Sequence, residues 1–523
     1  MHRPCLAFLL FLAATCAAAA DFPLDVPPGP YPVGFHVRQQ FDRARVYEHA
    51  RDPVTAQNAD SERARPLQTL IWYPAAGAGT SKGAPMRYRD YVTTIASEED
   101  FQRTPAQVRR ATELLVDART RGSDGDGARI ERDLRQPVRA LRDAPERPGS
   151  YPVVIYAPGN GAYGIDNADL CEYLASQGYI VLASASLGPR SHKMTADLEG
   201  AEAQAADVSF LAGYAGTLAQ ADTRRVAVIG HGWGALASVL AAARDDRIRA
   251  LVSLDGALRA TFDYLNGGPR AARYVTPERL GIPLLYISRL QSAEPGEQDD
   301  LGAGAGLLAR LRYADVYLAT MDSASHVDFS SWSLRMAPDA GLKGRTRAQA
   351  AQAYAATALV IGRFLDARLK DDTAAQGALD ADLASGRTPP GMLSFALRRA
   401  AGPAPTMDTL LDQLGKQGFA RIDDLYDQLH AQNPELSLDA LQIRDWGFKL
   451  LRADRAVDAV RVFGLGLHLY PERFDFLYDG IGQACEAAGR REEAIAHYRH
   501  ALALEPEQAH ARARLAALGV ALP

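Results

Sequence analysis

Between residues 151 and 320, six short apolar runs alternate with helical stretches, and this alternation constrains the fold more than any other feature of the chain. The runs are Val153–Tyr156, Ile180–Ser184, Val226–Ile229, Ala250–Leu254, Leu284–Ser288 and Asp315–Ala319. Each is rich in β-branched or aromatic residues, as a parallel strand covered on both faces must be. Helical patterns separate most of them: Asn167–Gln177, Glu199–Leu218, Ala235–Arg244 and a weaker Leu301–Leu311. A long helix is expected around Ala348–Leu369. Such an order packs as a doubly wound, mostly parallel α/β sheet. Residues 23–75 add antiparallel β-structure, clearest at Gly34–Gln40 and Gln68–Tyr73.

The third run leads into Gly230-His231-Gly232-Trp233-Gly234 and then a helix. Strand, sharp turn and helix are the context of the Gly-x-Ser-x-Gly nucleophile elbow. The position that carries serine in that motif is Gly232. Functional groups of such a sheet gather at the carboxyl ends of its strands. The next strand ends in Asp255, and the loop after Asp315–Ala319 carries His326. Elbow, acid and histidine follow in the order of a Ser/Asp/His hydrolase site. The loop after Ser288 has no carboxylate until Glu294, so Asp255 is the better orienting acid. The Gly-rich turn Ala157-Pro-Gly-Asn-Gly161 follows the first run. The backbone N–H groups of Asn160 and Trp233 are the expected oxyanion donors.

Lesser candidates are weighed against these. His231 is a poor replacement nucleophile, because a histidine beside an elbow nucleophile commonly just packs there. Ser323 and Ser325 share the loop of His326 and would need a rebuilt geometry. His192 reads as a surface residue at the pocket edge, and Asp166 and Asp169 as serving the start of the next helix. Gly230-x-Gly-x-Gly234 is not a dinucleotide fingerprint, since its third glycine is misplaced.

Residues 1–20 read as a secretory signal: a short basic start at His2 and Arg3, an apolar stretch Leu6–Leu12, and Ala18-Ala19-Ala20 before cleavage. Periplasmic or secreted localisation follows. Ala13-Ala14-Thr15 before Cys16 makes a poor lipobox. No later run reaches the roughly 18 apolar residues of a membrane span. Removing 1–20 takes away only Arg3 among the ordinary charges, leaving 57 basic against 63 acidic residues, a net charge of −6. That balance lacks the basic footprint of a nucleic-acid binder. Cys171 and Cys485 sit in apolar helical patterns and read as buried free thiols.

The hydrolase-like domain is expected over 21–371. A polar, helical insertion at about 80–148 suits either a lid or a plain surface excursion. Residues 372–415 read as a connecting segment with some helix. Beyond 416 an internal repeat appears. Ile443, Trp446, Gly447, Leu450, Ala459, Phe463 and Pro471 align with Tyr478, Ile481, Gly482, Cys485, Ala494, Tyr498 and Pro506, always 35 residues apart. This resembles the tetratricopeptide repeat, whose usual period is about 34. Ile422, Tyr426 and Pro434 look like the tail of an earlier, degenerate repeat, and Ala509–Leu518 like a capping helix. An all-α domain over 416–523 is the expectation, with a surface for a protein or peptide partner.

Residues 23–370 resemble bacterial α/β-hydrolases of the platelet-activating-factor acetylhydrolase and dienelactone hydrolase kind. The resemblance rests on Tyr31-Pro-Val-Gly-Phe35, Trp72-Tyr-Pro74, Tyr151-Pro-Val-Val-Ile-Tyr156, Tyr173-Leu-Ala-Ser-Gln-Gly-Tyr-Ile-Val181, the elbow and Ser253-Leu-Asp255. The 23 residues from Gly232 to Asp255 and a histidine beyond the last strand are also similar. It implies a Ser/Asp/His esterase acting on short acyl groups without metal or cofactor. Carried onto this chain, the triad positions are Gly232, Asp255 and His326. Two departures stand out: the absent serine, and Pro158-Gly-Asn-Gly161 where the family has His-Gly-x-Gly.

Glycine offers no hydroxyl, so no acyl-enzyme forms at 232. Losing a triad serine typically costs about a million-fold in turnover, while roughly a thousand-fold over water survives from binding and the oxyanion hole. Three functions fit. One is a pseudohydrolase that keeps a small acyl-ester pocket and uses its repeats to bind a partner. Another is an atypical ester or lactone hydrolase in which Asp255 and His326 activate water. The third is an assembly protein whose hydrolase domain only presents the repeats.

Overall fold

The computed structural model describes residues 26–47, 63–77, 83–121, 126–256, 258, 280–290, 308, 311–342, 344–388 and 391–521. The chain divides into two compact units, 1–400 and 401–523. The signal-like segment with Cys16 lies outside the described residues, as does most of the weak helix expected over 301–311.

The first unit holds one sheet of twelve strands. In chain order these are β1 (Val33–Tyr47), β2 (Arg63–Pro74), β3 (Ala84–Arg87), β4 (Pro137–Arg142), β5 (Tyr151–Ala157), β6 (Ile180–Ala183), β7 (Ala221–His231), β8 (Ile248–Leu254), β9 (Leu284–Arg289), β10 (Val316–Met321), β11 (Arg387–Thr388) and β12 (Leu393–Arg398). Their spatial order is β11-β12-β10-β9-β8-β7-β5-β6-β2-β1-β4-β3. From β6 to β10 every neighbouring pair is parallel. The six apolar runs read from the sequence are β5 to β10.

Alternation along these strands feeds two cores. Val154, Tyr156, Ala227, Ile229 and Val252 face the helices Ala168–Ser176 and Arg347–Leu369. Val153, Ile155, Val226, Val228 and Leu251 face the helices Leu198–Ala215 and Trp233–Ala242. Both faces are covered, which is why the central stretches of these strands are mostly apolar. The order reverses at β5: the chain goes from β5 out to β6, then back to β7 on β5's other side. Open α/β sheets place their sites at such a switch.

Two expectations need correction. The insertion at about 80–148 is neither a lid alone nor a surface excursion. It begins and ends in sheet strands, β3 and β4. Its helix Tyr88–Ile95 buries Tyr88, Tyr91 and Val92 in the main core. Trp72 Nε1 donates to Tyr91 Oη at 2.9 Å, and Tyr91 Oη donates to Glu172 Oε1 at 2.5 Å. The helix Pro105–Arg121, the clearest sequence signal there, buries only Thr112 and Val116. Residues 372–415 are also more than a connection. The helix Thr373–Ser385 leads to β11 and β12, and β12 pairs antiparallel with β10 to close that edge.

The second unit is all-helical and starts before residue 416, with Met407–Gln417 and Ile422–Gln432. Then come Ala440–Arg452 with Ala456–Leu469, Asp475–Ala487 with Arg491–Leu504, and Ala509–Ala517. The middle two pairs repeat one contact. A Cβ on Gly447 would stand 2.5 Å from the Phe463 ring, and one on Gly482 would stand 2.7 Å from the Tyr498 ring. Ala459 and Ala494 are fully buried in both. Cys171 and Cys485 are buried and unpaired.

Candidate active site

β7 ends at His231 and a helix begins at Trp233, so the turn between them is Gly232 alone. Its φ of 51° and ψ of −114° are values an L side chain adopts only under strain. Its neighbours are glycine for want of space. A Cβ on Gly230 would stand 2.4 Å from the Ala235 backbone, and one on Gly234 would stand 2.1 Å from the carbonyl oxygen of Ala157. At Gly232 a Cβ would stand 3.1 Å from Cε1 and 3.2 Å from Nε2 of His326. A side chain at 232 would therefore point at the imidazole. The Gly232 N–H donates to the Leu254 carbonyl at 2.9 Å and ties the turn to the end of β8.

Asp255 follows β8 directly, with a left-handed φ of 44°. Its N–H donates to the Ile287 carbonyl at 2.7 Å. Its carboxylate meets His326 Nδ1 at 2.7 Å and accepts the Arg289 N–H at 3.3 Å. Burial pushes this carboxyl up. The hydrogen bond and charge of His326, then the Arg289 guanidinium, outweigh burial and hold it below the ordinary range. His326 opens the 3₁₀ turn His326–Phe329 beyond β10, and its side chain is 48% exposed. With Nδ1 turned to Asp255, Nε2 faces position 232.

The structure thus brings Gly232, Asp255 and His326 together. Trp233 opens its helix, where first-turn N–H groups lack internal partners. Asn160 is exposed in the turn after β5. Gly234 packs against the Ala157 and Pro158 carbonyls, which sets the elbow against the start of that turn. Ser325 is held elsewhere: its N–H donates to Asp328 Oδ2 at 2.5 Å, and Arg345 donates to its Oγ at 3.3 Å. His192 is exposed and pairs with Glu99.

Asp166 does not serve the next helix as expected. It is buried, and its Oδ2 meets His231 Nδ1 at 3.0 Å and accepts Tyr156 Oη at 2.6 Å. Its Oδ1 accepts Ser330 Oγ at 2.6 Å. Asn167 donates to the Phe329 carbonyl at 2.8 Å and accepts the Ser331 N–H at 2.9 Å. Asp169 pairs with Arg335 at 2.6 Å. These residues clamp the segment after His326. No local pattern marks them, because apart from Tyr156 the partners named here lie 65 to 166 residues away.

Among the described residues no group of three or more His, Cys, Asp or Glu side chains could hold a metal ion. No described helix is long and apolar enough to cross a membrane.

A sheet with a parallel centre, an elbow turn after β7 and an acid–histidine pair at two later strand ends is that of an esterase-like α/β-hydrolase. Comparison with family models is consistent with that class: residues 126–257 match the chlorophyllase family. Among solved structures, the chain is similar to a ferulic acid esterase from Streptomyces cinnamoneus. The identity is 20%, the match covers 68% of this chain and 94% of that one, and the TM-score is 0.46. No curated protein matches the chain.

Proposed function

We propose that the first unit is a pseudohydrolase of the platelet-activating-factor acetylhydrolase and dienelactone hydrolase kind. It keeps a site shaped for a small acyl ester and has lost the acyl-enzyme route. The observation that carries this is Gly232, which holds the strained elbow conformation while a Cβ there would stand 3.2 Å from His326 Nε2. In a serine hydrolase, that histidine takes the hydroxyl proton while the oxygen attacks the acyl carbon. Here Nε2 faces a position with no oxygen to deprotonate. The remaining groups are suited to hold an ester: N–H donors of Asn160 and Trp233 for its carbonyl oxygen, and His326 beside its acyl carbon. The helical pairs of the second unit, read as tetratricopeptide repeats, recruit a protein or peptide partner. The signal-like start sends the chain to the periplasm or beyond.

The decisive experiment is Gly232→Ser probed with a fluorophosphonate. Covalent labelling is expected in Gly232→Ser and absent in the parent protein. A folded Gly232→Ser protein that stays unlabelled would overturn the reading, because the histidine and the donors would then not form a site.

A second reading has its own support: His326 is half exposed and held by Asp255 at 2.7 Å. A water taking the place of the hydroxyl would give its proton to Nε2 while its oxygen attacks the ester carbon. Proton transfer of this kind contributes about 10²–10⁴-fold. If the parent protein hydrolyses activated esters slowly, His326→Ala abolishes that activity on this reading and leaves it unchanged if the water route is wrong.

A further inference from the structure

The site contains a second histidine–carboxylate pair. His231 Nδ1 meets Asp166 Oδ2 at 3.0 Å, while His326 Nδ1 meets Asp255 Oδ2 at 2.7 Å. The two imidazoles stack, with centroids 4.6 Å apart and planes 20° from parallel. One ring is buried and the other half exposed. We propose that the buried His231–Asp166 pair is the platform that sets the plane of His326 and the height of the Pro158–Gly161 turn, so that both are positioning residues for the base. This rests on the reading of His326 as the base of the site.

The geometry supplies the reason. A single hydrogen bond from Nδ1 to Asp255 fixes one point of the His326 ring and leaves its tilt free. A flat partner stacked on one face removes that freedom, provided the partner is itself immobile. His231 meets that condition. Asp166 holds its Nδ1 from one side, and a Cβ on Gly159 would stand 3.4 Å from the same atom, so the Pro158–Gly161 turn rests on this ring.

Asp166 also reaches the loop of His326. Its Oδ1 accepts Ser330 Oγ, and its backbone carbonyl accepts the Trp332 N–H at 3.0 Å. One carboxylate therefore links three strand ends: β5 through Tyr156, the elbow through His231, and the loop beyond β10 through Ser330. The charges agree with this role. Burial alone pushes His231 down, but the Asp166 charge and hydrogen bond outweigh it and raise it. Burial pushes Asp166 up, but His231, Ser330 and Tyr156 hold it low. A filler ring needs none of this, and phenylalanine would fill the space without burying a histidine–carboxylate pair.

The test is nitrogen NMR of the full-length Gly232 protein labelled with ¹⁵N-histidine, with the His326 signals assigned by their loss in His326→Ala. Asp166→Asn is expected to shift the ring signals of His326, although Asp166 does not touch that ring. Shifts confined to His231, with His326 unchanged, would overturn the proposal. Tyr156→Phe removes one donor from the same carboxylate oxygen. It serves as the milder variant if Asp166→Asn does not fold, with the same two outcomes. A second arm adds His231→Phe to Gly232→Ser, keeping the stacked ring and losing the pair. The fluorophosphonate labelling rate should fall about ten- to a hundred-fold, as for a misplaced base, and an unchanged rate overturns the platform. If Gly232→Ser alone is never labelled, the reading of the site fails and the NMR arm still decides the platform.

Discussion

Glycine is used differently in the two units. In the helical pairs, Gly447 and Gly482 stand where an aromatic ring from the partner helix occupies the place of a Cβ, at 2.5 and 2.7 Å. Both have helical backbone, and any residue there would meet the ring. Gly232 stands where a Cβ would meet only the edge of a half-exposed imidazole, at 3.1 Å. The repeats need glycine for packing. The elbow tolerates it at 232 and requires it only at 230 and 234. The residue at 232 therefore bears on chemistry, whereas those at 447 and 482 bear on how closely helices approach.

The comparison breaks first if the flanking glycines prove replaceable. Gly234→Ala would place a Cβ 2.1 Å from one backbone carbonyl oxygen and 2.6 Å from another, with no flexible end to move aside. We expect a loss of more than about 3 kcal/mol, at the upper end of what overpacking costs, read as failure of the first unit to fold or a large drop in its unfolding midpoint. A stable Gly234→Ala protein would mean that the elbow does not pack against β5.

The repeats give a smaller effect. Gly447→Ala pushes a Cβ into the Phe463 ring, where overpacking costs typically 1–3 kcal/mol. Alanine returns about 1 kcal/mol of helix propensity. The net expectation is a destabilisation of up to about 2 kcal/mol by denaturant titration, and Gly447→Ala with Phe463→Leu should recover most of it. A stabilised Gly447→Ala protein would remove the packing reason for glycine in that helix.

The sequence made some of this legible and not the rest, for physical reasons. β5 to β10 stand out because both faces are covered and their central stretches are mostly apolar. Strands β11 and β12 do not: Arg387–Thr388 is two residues long, and Leu393–Arg398 carries Ser394 and Arg398 at an edge where one side meets solvent. Asp255 and His326 could be read because motif order confines them to two strand ends. Asp166 could not. Locally it looks like any acid before a helix, and its partners Tyr156, His231 and Ser330 come from three separate strand ends. The helix Tyr88–Ile95 stayed hidden for a related reason: charged Arg89 and Asp90 interrupt its apolar pattern, yet Tyr88 and Tyr91 are fully buried.

The smallest expected effect is the sharpest test of the comparison. Gly232→Ala adds the Cβ without the hydroxyl. The strained backbone costs on the order of 1–3 kcal/mol for a non-glycine residue, and alanine recovers about 0.4–1 kcal/mol by restricting the unfolded chain. The imidazole at 3.1–3.2 Å is the end of a half-exposed side chain and gives way by a few tenths of an ångström. A net destabilisation of about 1 kcal/mol is expected, with no fluorophosphonate labelling. Gly232→Ser should share the stability cost and differ only in being labelled, so the pair separates backbone from chemistry. If Gly232→Ala instead unfolds the unit as Gly234→Ala does, then 232 is a glycine of geometry like its neighbours, and the missing hydroxyl says nothing about lost function.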